Sequence, residues 1–460
     1  MANNCLIVTK CFAIVKNGGR NLLALIAGAV DDRSARGIAA AMSRLVTAGD
    51  LPGGTRLPTV RDVARELGVS PTTVSEAWQS LLRAGAIQTR GRSGTFVALP
   101  GRQQLRYSQM GGPSLALDLS TGVPDHDLLP DLSEALKRIG DGRLTSSYLD
   151  APVLPALEDV LRSRWPFPPS SLTVVDGAMD ALDRITGAVV RFGDRVIVED
   201  PAFPPMLDLL DAVGATVVGV PVSDVAEMRR ALRSSAPAAL FLQPRAHNPT
   251  GVSMSADHVA ALAEILREFP DVLIVEDDHA GDIATAAPVS IGCFLPERTV
   301  HVAGFSKSHG PDLRLAAVGG PARVIDAVAD RRLLGPGWSS RLLQGVLLDL
   351  LTSPSSMAQV AAARSEYARR RSLLCAGLSQ HGAEATADDG INLWMTVANQ
   401  QDAMVALAGH GITVAPGAPF QVSPGGPDHI RVTAGLVPDD FDSLAAILAS
   451  AASAVRRGYR

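Results

Sequence analysis

Four short apolar segments recur through the middle of the chain, and they constrain its fold more than any other feature. They are VIVED, AALFLQ, VLIVEDD and HVAGF, and stretches with helical spacing separate them. Apolar runs of this length indicate buried strands, and their alternation with helices is the pattern of an open sheet with helices on both faces. Such sheets bind ligands at the carboxyl ends of their strands, where polar residues cluster in this chain.

The length and composition indicate a globular protein with more than one domain. The chain has 460 residues, of which 47% are hydrophobic and 19% charged, and its formal net charge is −5. This charge argues against a protein that coats nucleic acid along its whole length, but it can hide a basic domain.

Several features favour a cytoplasmic location. No apolar run reaches the ~20 residues that cross a bilayer, and the opening MANNCLIVTKCFAIVK is a poor signal peptide. The four cysteines have no metal-ligand spacing, which fits a reducing compartment. We therefore expect a cytoplasmic protein without a membrane segment.

The segment 31–99 is mildly basic, with nine arginines against six acidic residues, and it has the pattern of a small helical domain. Thr59 is a predicted N-cap of one helix that ends at Gly68. Ser70 caps the next helix, and Pro71 occupies its first position. Two short helices joined by GVS describe a helix-turn-helix, and AIQTRGRSGTFVAL predicts a hairpin wing after it. Generic three-helix packing would produce the same apolar stripes.

The string LPTVRDVARELGVSPTTVSEAWQSLLRAGAIQTRGRSGTFV resembles the GntR-type winged helix-turn-helix over nearly its whole length. The resemblance implies that Arg61, Thr72 and Thr73 contact operator DNA, with Arg92 in the wing as a further candidate. Pro71 stands where the family often has arginine, so the resemblance implies less reading of guanine by arginine from that position.

The remaining boundaries follow from composition. Residues 1–30 form an N-terminal extension, and residues 100–114 are polar and without periodicity, which is typical of a linker. The large domain then covers residues 115–455.

Lysine is rare in this chain, and one lysine stands in a conspicuous position. Only four of the 42 basic residues are lysines, and one of them is Lys307 in GFSKSHGPDLRLA. A lysine amine has a pKa near 10.4 that burial can depress, whereas a guanidinium does not deprotonate usefully. Lys307 is therefore a candidate for chemistry that needs a neutral primary amine.

Other polar and aromatic residues follow the predicted strands. Acidic residues 276–278 end one strand, where buried carboxylates need a partner such as a metal ion or a protonated ring nitrogen. Asn248 lies in a turn after a second strand, Gly177 opens a helix after a third, and Phe203 follows a fourth. Together with Lys307 they supply the set of groups that pyridoxal phosphate needs.

The order of these motifs resembles that of fold type I aminotransferases over residues 115–455. The resemblance implies an α/β PLP-binding domain with a C-terminal α+β small subdomain. It implies that Lys307 forms the internal aldimine, that Asp277 pairs with the pyridine nitrogen, that Asn248 binds the ring hydroxyl and that Phe203 stacks on the ring.

The same resemblance implies a phosphate site and a dimer. Backbone groups of Ala178 and Met179, together with Ser306 and Arg314, would bind the phosphate. Tyr148 matches the tyrosine that reaches the phosphate of a neighbouring subunit.

The resemblance also implies a subsite for the substrate or effector. Arg431, in HIRVT, matches the arginine that binds a substrate carboxylate, and the LSTGVPDHDLLP segment would bring Gly122 over the ligand. Arg431 could instead pair with a local acid, as strand arginines often do.

Three positions depart from the aminotransferase pattern. His279 replaces the tyrosine that gives the cofactor oxygen a second hydrogen bond, which would shift the aldimine pKa. Gly304 replaces a serine or threonine that binds phosphate, and Val153 replaces a glycine. These departures leave cofactor binding intact and put efficient catalysis in question.

A GntR-type head joined to an aminotransferase-like body resembles the MocR subfamily of transcriptional regulators. The resemblance implies a PLP-dependent, DNA-binding, head-to-tail homodimer that senses an amino compound through an aldimine at Lys307. Two alternatives stay open. One is an active aminotransferase with an autoregulatory DNA-binding head, and the other is a cofactor-free fold that serves only for dimerisation.

Overall fold

The structure is a computed structural model of the chain. It describes residues 18–89, 94–98, 105–111, 115–139, 147, 150–221, 223–423, 425–437 and 439–454. It divides into two compact units, one holding the chain up to residue 103 with 191–194 and 210–216, and the other holding the rest. Arg92 and Tyr148 lie outside the described residues, so the predictions for them stay predictions.

The described residues of the N-terminal unit form four helices and a hairpin. They are α1 Gly18–Ala29, α2 Ala35–Thr47, α3 Val60–Leu67, α4 Pro71–Arg83, β1 Ile87–Thr89 and β2 Thr95–Val97. The strands β1 and β2 pair antiparallel, as the predicted wing requires.

The helix ends of this unit confirm the predicted capping. Oγ1 of Thr59 accepts from the backbone N–H of Asp62, and Gly68 ends α3 with a φ of 67°. Oγ of Ser70 accepts from the backbone N–H of Thr73 at 3.1 Å and begins α4 with Pro71 in its first turn. Because the two helices are separated by only the three residues 68–70, the predicted helix-turn-helix is confirmed.

The helix α1 is part of this unit's core. Ile26 in α1 is 1% exposed and packs with Ile38, Met42 and Val63 in one apolar cluster. The sequence predicts only an N-terminal extension there, because the capping residues and the apolar stripe of the domain begin later. The core of the unit therefore starts before the helix-turn-helix.

The second unit is built on a seven-stranded sheet in the order β4-β10-β9-β8-β7-β5-β6. Its strands are β4 Ser171–Val175, β5 Arg195–Asp200, β6 Thr216–Pro221, β7 Ala239–Leu242, β8 Leu273–Asp278, β9 Thr299–Gly304 and β10 Ala316–Gly320, and β3 Leu117–Asp118 precedes them outside the sheet. The strands β5, β7, β8 and β9 pair in parallel, and β10 is antiparallel to β4 and β9. The predicted open α/β sheet is confirmed.

Helices cover this sheet and lead into the C-terminal part. They are α5 Ser133–Ile139, α6 Pro155–Arg164, α7 Ala178–Val189, α8 Pro204–Ala212, α9 Val225–Ser235, α10 Ala256–Arg267, α11 Ala322–Leu333, α12 Arg341–Thr352 and α13 Pro354–Gln380. The helices α9 and α10 pack on one apolar cluster with β7, and α6 and α12 pack on another with β4.

The C-terminal part forms a smaller subdomain around a four-stranded antiparallel sheet, in the order β11-β12-β15-β14. Its elements are β11 Ala385–Thr386, β12 Leu393–Thr396, α14 Gln400–Gly409, β13 Ile412–Thr413, β14 Ala415–Pro416, β15 His429–Val432 and α15 Phe441–Ala452. Within the described part of the chain, no helix has the length and apolar character that a bilayer span requires.

Candidate cofactor and ligand site

The carboxyl ends of the strands bring the predicted site residues together. Asp277 is the penultimate residue of β8, Lys307 follows β9, Asn248 follows β7 and Phe203 follows β5. Because β5, β7, β8 and β9 run in parallel, their ends meet at one edge of the sheet.

Lys307 is half-buried, and its amine points at the loop before α5. Its Nζ donates a hydrogen bond to the backbone carbonyl of Gly122. Burial, and next the positive charge of Arg431, lower the pKa of Lys307 to about 8, while Asp277 opposes the shift. A substantial fraction of the amine is therefore neutral near physiological pH, as nucleophilic chemistry requires.

The carboxylate of Asp277 has one oxygen engaged and one unengaged. Its Oδ2 accepts from Nε2 of Gln243 at 2.8 Å. Its Oδ1 is buried and has no hydrogen-bond partner among the residues that the structure describes. Burial raises the pKa of Asp277. A buried acceptor of this kind needs a donor, and a protonated ring nitrogen would supply one.

Gln243, at the end of β7, is the main residue of the site that the sequence analysis missed. Besides holding Asp277, its Oε1 accepts from the backbone N–H of Asn248 at 2.9 Å. Its own backbone N–H donates to Oε2 of Glu199 at 2.7 Å. Gln243 thus fixes the carboxylate and the turn that bears Asn248 relative to each other.

Glu199 is a second buried acid near Asp277. Burial raises the pKa of Glu199 to about 8, and burial lowers the pKa of the neighbouring His247 to about 3. These residues line a cavity of about 30 Å³ together with Phe203, Gln243 and Asp277. Phe203 and Asp277 therefore line the same cavity.

The helix α7 begins at the edge of the site. Its N-cap Gly177 has a φ of 104°, and a Cβ there would lie 3.2 Å from Nη2 of Arg314. The first residues, Ala178 and Met179, leave backbone N–H groups without partners in the helix. The half-buried Ser306 lies in the lysine turn that precedes Arg314. The start of a helix and a nearby guanidinium give this end a positive character that suits an anion.

Two acids near this helix terminus are neutralised. The guanidinium of Arg332, 1% exposed, contacts Asp176 and Asp180 at 3.0 Å each. Burial alone would raise the pKa of Asp176, but hydrogen bonds from Arg332 and Ser339 lower it. The terminus therefore stays attractive to a phosphate.

Arg431 in β15 is buried and reaches the same site. Its Nη1 donates to Oδ1 of Asn248 at 3.1 Å, its Nη2 donates to the carbonyl of Ser120, and its Cζ lies 5.2 Å from the ring centre of Phe420. Its Nε has no partner among the described residues, and burial lowers the pKa of Arg431 to about 10. Among the described residues, no acidic side chain pairs with it.

Gly122 lies between the two cations. Its carbonyl accepts from Lys307, and its backbone N–H donates to Oγ1 of Thr433 at 2.9 Å. It has a φ of 63°, and a Cβ there would lie 3.1 Å from Nη2 of Arg431. This position therefore requires glycine for its conformation and for its closeness to Arg431.

The three departures from the aminotransferase pattern have distinct surroundings. His279 donates from Nε2 to the carbonyl of Ala246 at 2.9 Å, and burial lowers its pKa, with Lys307 contributing. A Cβ at Gly304 would lie 3.4 Å from Cα of His279, an ordinary contact. Val153 is buried in the apolar cluster beside α6.

The acids that flank Asp277 have protein partners. Glu276 accepts from Ser290 and from the backbone N–H of Ile291, at 2.6 Å each. Asp278 pairs with Arg245. Within the described ranges, no group of three or more His, Cys, Asp or Glu side chains is placed to hold a metal ion.

The predicted DNA contacts differ in their availability. Arg61 and Thr72 are exposed near the starts of α3 and α4. The hydroxyl of Thr73 lies 2.8 Å from that of Ser70, within the cap of α4. Thr73 is therefore already engaged locally.

The site fits pyridoxal phosphate on the observations above. The unengaged Oδ1 of Asp277 suits the pyridine nitrogen, and the cradle at Gly177 and Arg314 suits the phosphate. The amine of Lys307 suits the aldehyde, because its pKa is lowered to about 8.

Comparisons with known proteins agree with this geometry. Residues 116–448 match the family described as aminotransferase class I and II, and residues 34–97 match the bacterial regulatory proteins of the gntR family. The aspartate aminotransferase of Thermus thermophilus with maleate has 25% identity and a TM-score of 0.65, over 77% of this chain and 100% of that one. An archaeal alanine:glyoxylate aminotransferase, 22% identical with a TM-score of 0.67 over 75% of this chain and 97% of that one, shares the fold.

Curated relatives match both parts of the chain. The vitamin B6 salvage pathway transcriptional repressor PtsJ of Salmonella typhimurium is 34% identical over 91% of this chain and 98% of its own length. The probable rhizopine catabolism regulatory protein MocR of Rhizobium meliloti is 28% identical over 79% of this chain and 78% of its own length.

Proposed function

The chain belongs to the MocR-type, PLP-dependent transcriptional regulators, in which a gntR-family head is joined to an aminotransferase class I and II domain, and from this premise we propose that it senses an amino compound at Lys307. The observation that carries the proposal is that the buried Oδ1 of Asp277, which has no partner among the described residues, lies in the same site as the Lys307 amine with its lowered pKa.

Pyridoxal phosphate, when bound, supplies an aldehyde that can exchange between the amine of a lysine and the amine of a small molecule. The chain's own groups would orient it. Asp277 would hold the ring nitrogen protonated, Asn248 would donate to the ring hydroxyl, and Phe203 would pack on the ring. The start of α7 with Ser306 and Arg314 would bind the phosphate.

Arg431 favours an effector with a carboxylate. Its Nη1 and Nη2 now contact Asn248 and the carbonyl of Ser120, and a carboxylate would offer both donors a charged partner. The exchange would release the Ser120 carbonyl and so free the segment that bears Gly122. The large domain would then have two conformations, with the segment held or released, and a ligand would shift the population between them.

Besides DNA, the proposed partners are a small amino compound and a second copy of the chain. The two copies would form a head-to-tail homodimer in the cytoplasm. The likeness to aminotransferases supports the dimer. Tyr148 matches their tyrosine that reaches the phosphate bound to the neighbouring subunit, so the site would need a second copy. Mass measurement in solution and cross-linking of the head to the large domain of a second, tagged copy would test this arrangement.

The experiment that tests the function uses the full chain loaded with pyridoxal phosphate and the DNA upstream of its own gene. Fluorescence anisotropy of that DNA is measured with the common amino acids, γ-aminobutyrate and added pyridoxal phosphate as probes. We expect at least one probe to change the DNA affinity about tenfold or more, and Lys307→Ala to abolish this response to amines. An identical response in Lys307→Ala would overturn the proposal.

A parallel assay separates sensing from catalysis. The loaded protein is mixed with each amino acid and a keto-acid acceptor, and product is counted per chain. Less than one turnover per chain, with a change in the absorbance of the bound cofactor, supports a sensor. Sustained multiple turnover would instead support the alternative of an aminotransferase with a DNA-binding head.

A further inference from the structure

A second cavity lies on the other face of the sheet from the site of Lys307. It has a volume of about 420 Å³ and borders Asp278 and His301. Asp278 lies on β8, the strand that also carries Asp277, and His301 lies on the neighbouring β9. Because side chains alternate along a strand, Asp278 points to the opposite face from Asp277. The cavity is therefore distinct from the site described above, although the two share β8 and β9.

Its lining combines an apolar wall with an excess of cations. Leu161, Trp165 and Phe305 are among its apolar members. Its charged members are three arginines, at positions 164, 245 and 364, and two aspartates, at positions 278 and 282. Small-molecule sites have this character, with apolar walls, a few convergent polar groups and volumes of about 300–1,000 Å³.

Two of the three arginines in the lining have ion-pair partners, and the third has none among the described residues. Arg245 pairs with Asp278, and Arg164 pairs with Asp282 at 2.6 Å. Arg364, an exposed residue of α13, forms no hydrogen bond or ion pair with any residue that the structure describes. Its guanidinium is thus available to a ligand, and its planar donors suit an oxyanion.

A smaller cavity of about 140 Å³ adjoins the first. Arg164, Asp282 and Arg364 line both cavities, so the ion pair between Arg164 and Asp282 stands where they meet. The smaller cavity also borders His309 and Met357. A ligand that draws Arg164 away from Asp282 would gain a second guanidinium and more volume.

The two cavities flank the turn that carries Lys307. Gly304 and Phe305 line the larger one, and His309 lines the smaller one. The rings of Phe305 and His309 meet edge to face with their centres 5.9 Å apart, and Nδ1 of His309 lies 2.8 Å from Oγ of Ser308. A ligand in these cavities would therefore contact the residues on both sides of the lysine.

We propose that this pair of cavities binds a small organic anion, a carboxylate or phosphate on an apolar or aromatic body, and that its binding alters the environment of Lys307. A ligand of these cavities needs no amine, whereas the proposed effector at Lys307 does. The inference does not depend on the proposed sensing of an amino compound.

The test uses the full chain loaded with pyridoxal phosphate, and the probes are phenyl phosphate and benzoate, with benzyl alcohol as the uncharged comparison. None of the three has an amine or aldehyde. Titration calorimetry is run on the wild type, on Arg364→Ala and on Arg369→Ala. Arg369 is a matched control on the same helix, because it pairs with Glu366 and lines neither cavity.

We expect one anion to bind per chain, with affinity at least tenfold weaker in Arg364→Ala and unchanged in Arg369→Ala. Absence of binding, or equal binding of benzyl alcohol, would overturn the proposed anion site. Binding that survives in Arg364→Ala and disappears in Arg431→Leu would also overturn it, since the anion would then occupy the first site.

Coupling to the lysine turn has its own readout. The absorbance of the bound cofactor should shift on addition of the anion in the wild type and not in Arg364→Ala. An anion that binds through Arg364 without any such shift would contradict the coupling. Binding to Lys307→Ala should persist, so a failure of amine sensing and a failure of this site give different results.

Discussion

Nε2 of Gln243 donates to Oδ2 of Asp277 at 2.8 Å, and this contact leaves Oδ1 as the oxygen available to a ring nitrogen. We expect Gln243→Leu to weaken binding of pyridoxal phosphate by about tenfold or more, because a hydrogen bond to a charged group contributes about 1.5–3 kcal/mol. Equilibrium dialysis of the cofactor measures the loss. Gln359→Leu is the matched control, since Oε1 of Gln359 accepts from the backbone N–H of Asp131 at the surface, away from the site. Equal losses in both variants would show that Gln243 does not position the carboxylate.

Capture of pyridoxal phosphate by cofactor-stripped protein should depend on pH. Burial and then Arg431 lower the pKa of Lys307 to about 8, so the neutral amine dominates above that pH and falls about tenfold per unit below it. The rate of capture should therefore rise up to about pH 8 and then level off. Arg431→Leu removes a positive charge, and the rise should extend to higher pH. A profile that is flat from pH 6 to pH 9 would contradict this account of Lys307.

Gly122→Ala should weaken binding of carboxylate ligands by at least about tenfold, the change that corresponds to about 1.4 kcal/mol. The new Cβ would lie 3.1 Å from Nη2 of Arg431, on a backbone with a φ of 63°. Gly382→Ala is the matched control, because its φ is 73° and its Cβ would meet no atom within 4 Å. Both variants carry the backbone strain and should lose similar melting temperature, so a binding defect shared by both would exclude the contact with Arg431 as its cause.

The head should lose DNA affinity on Arg61→Ala and Thr72→Ala and much less on Thr73→Ala. Arg61 and Thr72 are exposed, whereas the hydroxyl of Thr73 is engaged by Ser70. If Arg61 contacts a phosphate, the slope of log affinity against log salt should fall by about 0.9. Anisotropy titrations at several salt concentrations measure it. A larger loss from Thr73→Ala than from Thr72→Ala, at unchanged melting temperature, would reverse the assignment.

Much of the fold could be predicted from local signals. The caps at Thr59 and Ser70 and the stop at Gly68 follow from the chemistry of single residues, and the structure places each at its helix end. The buried strands that end at Asp278 and Gly304 follow from their apolar runs. The helix α1 could not be predicted in the same way, because its burial depends on residues distant in sequence that supply the other side of its core.

The site was predictable only where a side chain has a distinctive chemistry. Lys307 and Asp277 were found because an amine and a buried acid are rare in such positions. Gln243 was missed, since a glutamine at a strand end has no periodic signal and gains its role from Asp277, 34 residues away. The cavity lined by Arg364 brings together segments up to about 200 residues apart in the chain. No local sequence pattern predicts a cavity of this kind.

The short segment from Ser120 to Gly122 is held at both ends by the two cations of the site. Arg431 holds the Ser120 carbonyl, and Lys307 holds the Gly122 carbonyl. A carboxylate would compete for the first contact, whereas bonding of the Lys307 amine to the cofactor would end the second contact and its displacement by an effector amine would restore it. The contacts of this segment would therefore respond to both groups of an amino acid, which distinguishes amino acids from simple acids and simple amines.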